Sequence, residues 1–549
     1  METERILLDA LAGLWHDIGK FAQRSGEGTH ELWNQEAERD IGYRHALASD
    51  GFLGRHVPRQ WQAQLAGVRY HHRPASARLI SDEAYRQACL VQVADWLSSE
   101  EREASTEAGE ARLRSPLSRL AGYDAPWYFR LEPLSGCSEA IFPELLTEGQ
   151  GVPNRAYRAL WEQFEHASSV LCSDGVHKMD LRAFTETAYF LLQEYAWCVP
   201  SAYYGQVPDV SLFDHARTTA AIAACLTADD RDADWINRLR EALLVSDGDI
   251  LDEPVAVLVG GDLTGLQRFL YTIASENAAK SLRGRSVYLQ LLSEVVAEYV
   301  LDRLGLPLTN LLYVGGGTFY LLVQTTWQGV ASDQRLRAIQ REIAEKLVKA
   351  HGGALGLALA FMPITSREFA KERFHEAWDR LHQKIRRQKE FLLGGLDARD
   401  LARLIGSGMG LGGEIGFCEV CGEETPDKAA GSGCSLCKSL EELGMQVARA
   451  NYLLLAEIND TSEQQVSDFS WHTVVESFGR RVYFLENLDE IGNIARDIRD
   501  RAARIRLLWL SEREEDLADR VRSLGIRVPI SLGYRPFAQL VPWCDADRR

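Results

Sequence analysis

The sequence predicts a multidomain α+β protein, with an all-helical amino-terminal lobe, a central unit of alternating strands and helices, and a carboxy-terminal lobe of mixed α/β character. Three observations carry the prediction: apolar residues at helical spacing in the first lobe, a β-α-β-β-α-β order of apolar runs from Val255, and two Cys-x-x-Cys pairs beyond Phe417. A chain of 549 residues accommodates three or four domains. Changes of texture set their bounds at 1–110, 111–245, 246–395 and 396–549.

In the first lobe Leu7, Leu11, Leu14 and Ile18 form a stripe, and a single helix is expected to carry His16 and Asp17 off that stripe. The residues three or four positions from His16 are Ala12, Gly13, Gly19 and Lys20, a mostly small surface that admits a backbone, a metal or a phosphate. An imidazole beside a carboxylate supplies two ligand types for a divalent cation. By itself, such a dipeptide is more often a capped, solvent-facing pair. Further ligand-capable residues follow: His30, His45, and Tyr70-His71-His72 at the end of a helical run that Pro74 is expected to stop. Ala88 to Leu97 reads as an apolar helix with one acid, Asp95, which is costly there unless paired or bound to a cation. His16, Asp17, His45, His71, His72 and Asp95 together can close one or two metal sites; the alternative is a bundle with satisfied core histidines. Residues 100–245 continue as mostly helical sequence, broken near Pro200 and Pro208. The reversed pair Asp214-His215 reads as part of a helix cap in preference to a part of the site.

The central unit begins with a short buried strand, Val255 to Val259, and a turn at Gly260-Gly261-Asp262. Helices follow from Leu266 and from Ser286 to Leu304, then strands Leu311 to Val314 and Phe319 to Val323 around Gly315-Gly316-Gly317-Thr318, a hairpin signature. A helix over Arg335 to Lys349 and a strand over Leu355 to Met362 complete a ferredoxin-like (βαββαβ) order, the one used by polymerase and cyclase palms. Palm chemistry needs two carboxylates holding metal ions. Asp262 occupies the first position, but the hairpin tip has only glycines and a threonine, so this palm is not expected to catalyse nucleotidyl transfer. Two readings of Gly315, Gly316 and Gly317 stand side by side: a phosphate-binding loop with Lys280, Arg283 and Arg285 close by in sequence, or glycines that serve only the turn.

Cys418, Cys421, Cys434 and Cys437 form a zinc-ribbon-like set of four thiolates, which favours a closed structural zinc site. The preceding basic run, Lys384 to Lys389, reads as a solvated helix face more readily than as an RNA contact. Strand-like runs follow at Tyr452 to Ile458, Arg481 to Leu485, Ile505 to Leu510 and Val528 to Gly533. A formal charge of -18 argues against a free-standing nucleic-acid binder without excluding local basic patches or basic partners. With no run of eighteen apolar residues and an acidic amino terminus, the expectation is a cytoplasmic protein without a membrane segment.

The order of His16-Asp17, distal histidines and helical Asp95 resembles the HD superfamily of metal-dependent phosphohydrolases. The strings from Gly261 to Phe269 and from Ala279 to Ser286, with Ala94 to Ser99, Asp214 to Ala220 and the cysteine cluster, resemble the large subunit of type III-A CRISPR effector (Csm) complexes. That resemblance implies an HD domain ahead of two palms, the second carrying a Gly-Gly-Asp-Asp loop that is not found in this sequence. It implies metal-dependent hydrolysis of single-stranded DNA, with His16, Asp17, His45, His71, His72 and Asp95 as ligands for Mn, Ni or Mg and with Lys20 neutralising the scissile phosphate. The palm is expected to help bind ATP for cyclic oligoadenylate synthesis only if a second palm is supplied. Implied partners are a crRNA-containing complex with a small helical subunit and a backbone subunit, target RNA, and the DNA substrate. Two alternatives are a non-catalytic scaffold subunit and an HD phosphohydrolase acting on small nucleotides.

Overall fold

In the computed structural model, the described residues are 2–27, 34–99, 104–108, 112–118, 127–136, 141–145, 154–172, 174–202, 204–272, 278–369, 373–391, 395–406, 416–422, 424–425, 433–458, 470–492, 494, 502–511 and 517–535. His30 lies outside them. Mixed helix and sheet run through several packed units.

The first lobe is built on α1 (Glu2–Trp15), α2 (Ile18–Ser25), α3 (Arg44–His56), α4 (Asp82–Ser99), α5 (Asn154–Leu171), α6 (Leu181–Ala196) and α7 (Leu212–Ala228). The expected single helix through His16-Asp17 is broken there, and Asp17 leaves helical geometry at φ -109, ψ 7. Ser49 on α3 explains the break. Its hydroxyl donates to His16 O at 2.8 Å and accepts from Gly19 N at 2.9 Å, replacing helical partners with tertiary ones.

The small residues flanking His16 serve backbone approach. A Cβ at Gly13 would lie 2.7 Å from Ala220 Cα on α7, and one at Gly19 would lie 2.0 Å from His45 O on α3. Pro74 does not stop a helix but opens the short one at Pro74–Ala77, where its missing N–H costs nothing. His71 and His72 follow a single 3-10 turn, Val68–Tyr70. Nor is the lobe all helix: Ala104–Ala108 pairs with Tyr204–Gln206, and Trp127–Tyr128 with Glu144–Leu145, both antiparallel.

The central unit contains β1 (Pro254–Thr264), α8 (Ala278–Leu304), β2 (Leu311–Gly315), β3 (Thr318–Val323), α9 (Ser332–His351) and β4 (Gly356–Thr365). The sheet order is β4-β1-β3-β2, with every neighbour antiparallel. Gly260-Gly261-Asp262 is strand and not the expected turn, since Gly260 pairs with Tyr320 and Asp262 with Thr318. The glycines are there for packing. A Cβ at Gly261 would sit 2.1 Å from the Phe319 ring, and one at Gly260 would sit 2.7 Å from Ile385. The β2–β3 hairpin closes on Gly316 (φ 61) and Gly317 (φ 87), the two-residue turn of positive φ that matches strand twist. Helix α10 (Phe374–Lys389) buries Ala377, Leu381 and Ile385 and leaves most of its basic residues on the outer face.

The last unit comprises α11 (Ser435–Val447), β5 (Tyr452–Ile458), β6 (Arg480–Leu485), β7 (Ala502–Trp509) and β8 (Ile530–Tyr534). Its sheet runs β6-β5-β7-β8, with β8 parallel to β7. Buried charges join it to the other units: Arg506 bonds Glu186 of α6 at 3.1 Å and Glu298 of α8 at 2.7 Å, and Arg480 reaches Glu298 at 3.2 Å. Among the described residues no helix is long and apolar enough to cross a membrane.

Candidate metal centre

Six side chains from α3, α4, α7, the α1–α2 break and the turn after Tyr70 converge on Asp17, which is itself buried. On one side, Asp17 Oδ2 lies 3.3 Å from His16 Nε2 and 3.3 Å from His215 Nε2, while Asp95 Oδ1 lies 3.7 Å and 3.1 Å from the same two nitrogens. On the other, Asp17 Oδ1 lies 3.2 Å from His45 Nε2 and 4.0 Å from His71 Nε2, and His72 Nε2 is 2.8 Å from His45 Nε2. Each set of four, His16/Asp17/Asp95/His215 and Asp17/His45/His71/His72, has its ligand atoms within 4.8 Å of one another. Asp17 belongs to both, so one carboxylate can bridge two cations.

The tautomers suit this use. His16 Nδ1–H donates to Gly13 O and His71 Nδ1–H to Val68 O, each at 2.7 Å. Ser98 gives its proton to Asp95 O and therefore accepts from His215 Nδ1–H at 2.9 Å. In all three rings Nε2 is left to face the centre, the arrangement that outer hydrogen bonds impose on metal-bound imidazole. His16 Nε2, His71 Nε2 and Asp17 Oδ1 are buried without a hydrogen bond. Orphans on both sides of one carboxylate cost several kcal/mol unless cations gather them.

Charge states agree. Burial pushes His45, His71 and His72 down to about 3, so they are neutral at pH 7. Burial opposes ionisation of Asp17, but Lys20 and His16 outweigh it and hold the carboxyl well below its ordinary range. Asp95 behaves likewise: burial opposes its ionisation, but the nearby His16 and His215 outweigh it. His16 is the exception: burial opposes its charge, yet Asp17 and Asp95 hold it up at about 10. A proton on His16 does the balancing that a cation would do.

For Asp214-His215 the sequence favours a helix cap over a place in the site, and the structure corrects this for His215. Ser211 does cap α7, accepting from Asp214 N at 2.9 Å, so the cap reading describes Ser211 and Asp214. One residue on, His215 is buried in the centre. Lys20 stands at the edge, its Nζ 2.5 Å from Asp17 Oδ2. Tyr43, 57% exposed, covers His72 and His45 with ring centroids 4.5 and 5.5 Å away.

In the central unit, Asp262 pairs with Lys389 at 2.6 Å. Gly315 to Gly317 form the end of the β2–β3 hairpin. Lys280 and Arg283 lie on the first turns of α8 against α11, where Arg283 donates to Gly444 O at 3.2 Å. Arg285, expected near phosphate, is 3% exposed and points inward. Its guanidinium donates to Phe269 O at 2.8 Å and to Cys437 Sγ at 3.3 Å.

The four cysteines Cys418, Cys421, Cys434 and Cys437 hold their sulfurs within 4.8 Å of one another, a set that can hold a metal ion. Backbone N–H groups of Cys434 and Cys421 point at Cys418 Sγ from 3.1 and 3.4 Å. Hydrogen bonds from Cys421 and Cys437 hold the Cys434 thiol far below its ordinary value. Such a donor set stabilises thiolates and suits a closed tetrahedral site.

Residues 255–405 match the family model of Csm1 subunit domain B. Three curated relatives carry the name CRISPR system single-strand-specific deoxyribonuclease Cas10/Csm1 (subtype III-A). The one from Methanocaldococcus jannaschii is 29% identical over 69% of this chain and 48% of its own length. Those from Thermococcus onnurineus (29%; 76% and 51%) and Mycobacterium tuberculosis (26%; 82% and 58%) are similar. The chain thus spans about half the length of the relatives it matches. Among solved structures, the Csm1 of a Csm1–Csm4 subcomplex from the type III-A interference complex superposes with TM-score 0.64 at 20% identity, covering 97% of this chain and 60% of the other. A Csm1–Csm4 cassette in complex with cA4 gives TM-score 0.61 at 19% identity, with 97% and 59% covered.

Proposed function

We propose that this chain, a relative of the subtype III-A Cas10/Csm1 large subunits, carries the HD nuclease domain and first palm of such a subunit and cuts single-stranded DNA by metal-dependent hydrolysis. The observation that supports this best is the shared carboxylate: Asp17 joins two four-ligand sets, with His16 Nε2 orphaned in one and His71 Nε2 in the other. Bound there, divalent Mn, Ni or Mg would polarise a phosphodiester oxygen and supply hydroxide near neutral pH. His16, His215 and Asp95 would hold one cation, His45, His71 and His72 the other, and Asp17 both. Lys20 offsets charge that develops on the scissile phosphate. Tyr43, exposed beside His72, offers a face on which an unpaired base stacks.

The proposed domains are an HD domain over 1–110, its helical extension over 111–245, a ferredoxin-like palm over 246–395 and a zinc-binding lobe with its α/β region over 396–549. The antiparallel β4-β1-β3-β2 order supports the palm reading. ATP would meet Asp262, the Gly315–Gly317 turn, Lys280 and Arg283, but not Arg285, which is buried against Phe269 and Cys437. Zinc is the metal proposed for the four cysteines. The proposed setting is a cytoplasmic effector complex with crRNA, target RNA, a small helical subunit and a backbone subunit.

The test is incubation with manganese and labelled single-stranded DNA, alone and in complex, beside a His16→Ala, Asp17→Ala double variant. Cleavage by the parent and its loss in the variant is the expected result. No cleavage by the parent in either setting would sink the nuclease reading in favour of a scaffold, and hydrolysis of small nucleotides but not DNA would select the phosphohydrolase.

A further inference from the structure

We infer that Arg285 is a positioning residue of the four-cysteine metal centre, supplying from α8 of the central unit a charged N–H···S hydrogen bond to Cys437 that ties metal binding to the docking of α11. The inference rests on reading those cysteines as a zinc site.

Four thiolates around one divalent cation leave two negative charges in a half-buried place, and such centres depend on N–H donors to sulfur. Two backbone donors serve Cys418 here. Cys437 is the buried thiol on the first turn of α11, and the charged donor it meets comes from another unit, Arg285 Nη2 at 3.3 Å. The guanidinium is fixed on its other side: Nη1 donates to Phe269 O at 2.8 Å, and Cζ stands 4.8 Å from the Phe269 ring centroid. Among the described residues Arg285 meets no carboxylate, and a buried arginine so placed is expensive unless anionic sulfur faces it. A metal-bound sulfur at Cys437 would meet that need, and the guanidinium would in turn offset its charge.

The helices are shaped for this contact. Gly284 and Gly444 face each other across the α8–α11 crossing; a Cβ at Gly284 would lie 1.7 Å from Leu440 O, and one at Gly444 would lie 2.0 Å from Lys280 O. Backbone-to-backbone approach of this kind brings Arg285, the next residue after Gly284, within reach of Cys437. The Arg285–Cys437 contact and the close α8–α11 crossing thus fix one ligand of the centre from the central unit, so removal of Arg285 would weaken metal binding.

The test uses the full chain with Arg285→Met, which keeps an apolar stem over Phe269, and Arg285→Lys, which keeps a charged donor. Zinc affinity is read by competition with a chromophoric chelator, and the sulfur-to-metal charge-transfer bands are read after cobalt substitution. Expected are a 10- to 100-fold weaker affinity and shifted bands for Arg285→Met, with partial recovery for Arg285→Lys. A wild-type chain that holds zinc, together with an Arg285→Met variant of unchanged affinity and unchanged bands, overturns the role of Arg285 alone. A wild-type chain that binds no zinc overturns the four-cysteine reading and this role with it. Should Arg285→Met not fold, Arg285→Lys decides: parent-like affinity with unshifted bands counts against the N–H···S bond, and weakened affinity with shifted bands counts for it.

Discussion

Gly19→Ala is the substitution that most sharply separates the metal centre from the fold around it. The new Cβ would lie 2.0 Å from His45 O and 2.7 Å from Ser49 N, both backbone atoms of α3. Ordinary contact begins at 3.4 Å, so α2 and α3 must part by about 1.4 Å. That movement carries His45 away from Asp17, now 3.2 Å distant, and strains the Ser49 bridge between His16 O and Gly19 N. Overpacking costs about 1–3 kcal/mol, and the bridge adds about 1 kcal/mol for each hydrogen bond lost. Thermal melts and manganese titration calorimetry, with Gly54→Ala as control, measure the effect. Gly54 lies on the exposed face of the same α3, with nothing within 4 Å of its would-be Cβ, so alanine there should leave metal binding alone and stabilise slightly. Gly19→Ala should melt earlier and bind manganese at least about tenfold more weakly. If it behaves like Gly54→Ala, the close α2–α3 approach does not position the ligands.

Further outcomes follow from the same geometry. His215→Ala should remove one of two manganese equivalents in an equilibrium titration while leaving the His45/His71/His72 side able to bind; loss of neither would exclude His215 as a ligand. Tyr43→Ala should raise KM for single-stranded DNA roughly tenfold with little change in kcat, the scale of one lost base stack; an unchanged KM would leave Tyr43 without that role. Stability should also depend on Glu186. Burial opposes its ionisation, but Arg506 outweighs burial and pulls its folded value from 4.5 to about 2. Because the folded value is the lower, the stabilisation is full above pH 4.5 and is lost as pH falls from there to about 2; it is worth about 3 kcal/mol. Glu186→Gln should accordingly flatten acid denaturation over that window, and an unaltered slope would show the pair to be indifferent.

How far the sequence carried the site depended on which forces placed each residue. Asp95 could be singled out because a carboxylate inside an apolar helix is expensive, and the structure sets it between His16 and His215. His215 is set aside by the sequence reading because its neighbours Ser211 and Asp214 do form a cap. The signal that could have found it is the small-residue run Ala216, Ala220, Ala221, Ala223 and Ala224, which marks a helix buried on nearly every side. The strands of both sheets were readable from their apolar runs. Gly260-Gly261 misled, since a glycine pair that makes room for the Phe319 ring looks in sequence like a turn. Arg285 misled in the same way: adjacency to Lys280 and Arg283 suggested phosphate, whereas helix packing turns it toward Cys437.

The bridging role of Asp17 is open to direct view. Anomalous diffraction from manganese-loaded crystals should give two peaks about 3.5–4 Å apart, both in contact with Asp17, and Asp17→Asn should abolish both peaks and lower DNA cleavage by at least about 100-fold. A parent protein that cuts DNA with no cation touching Asp17 would contradict it.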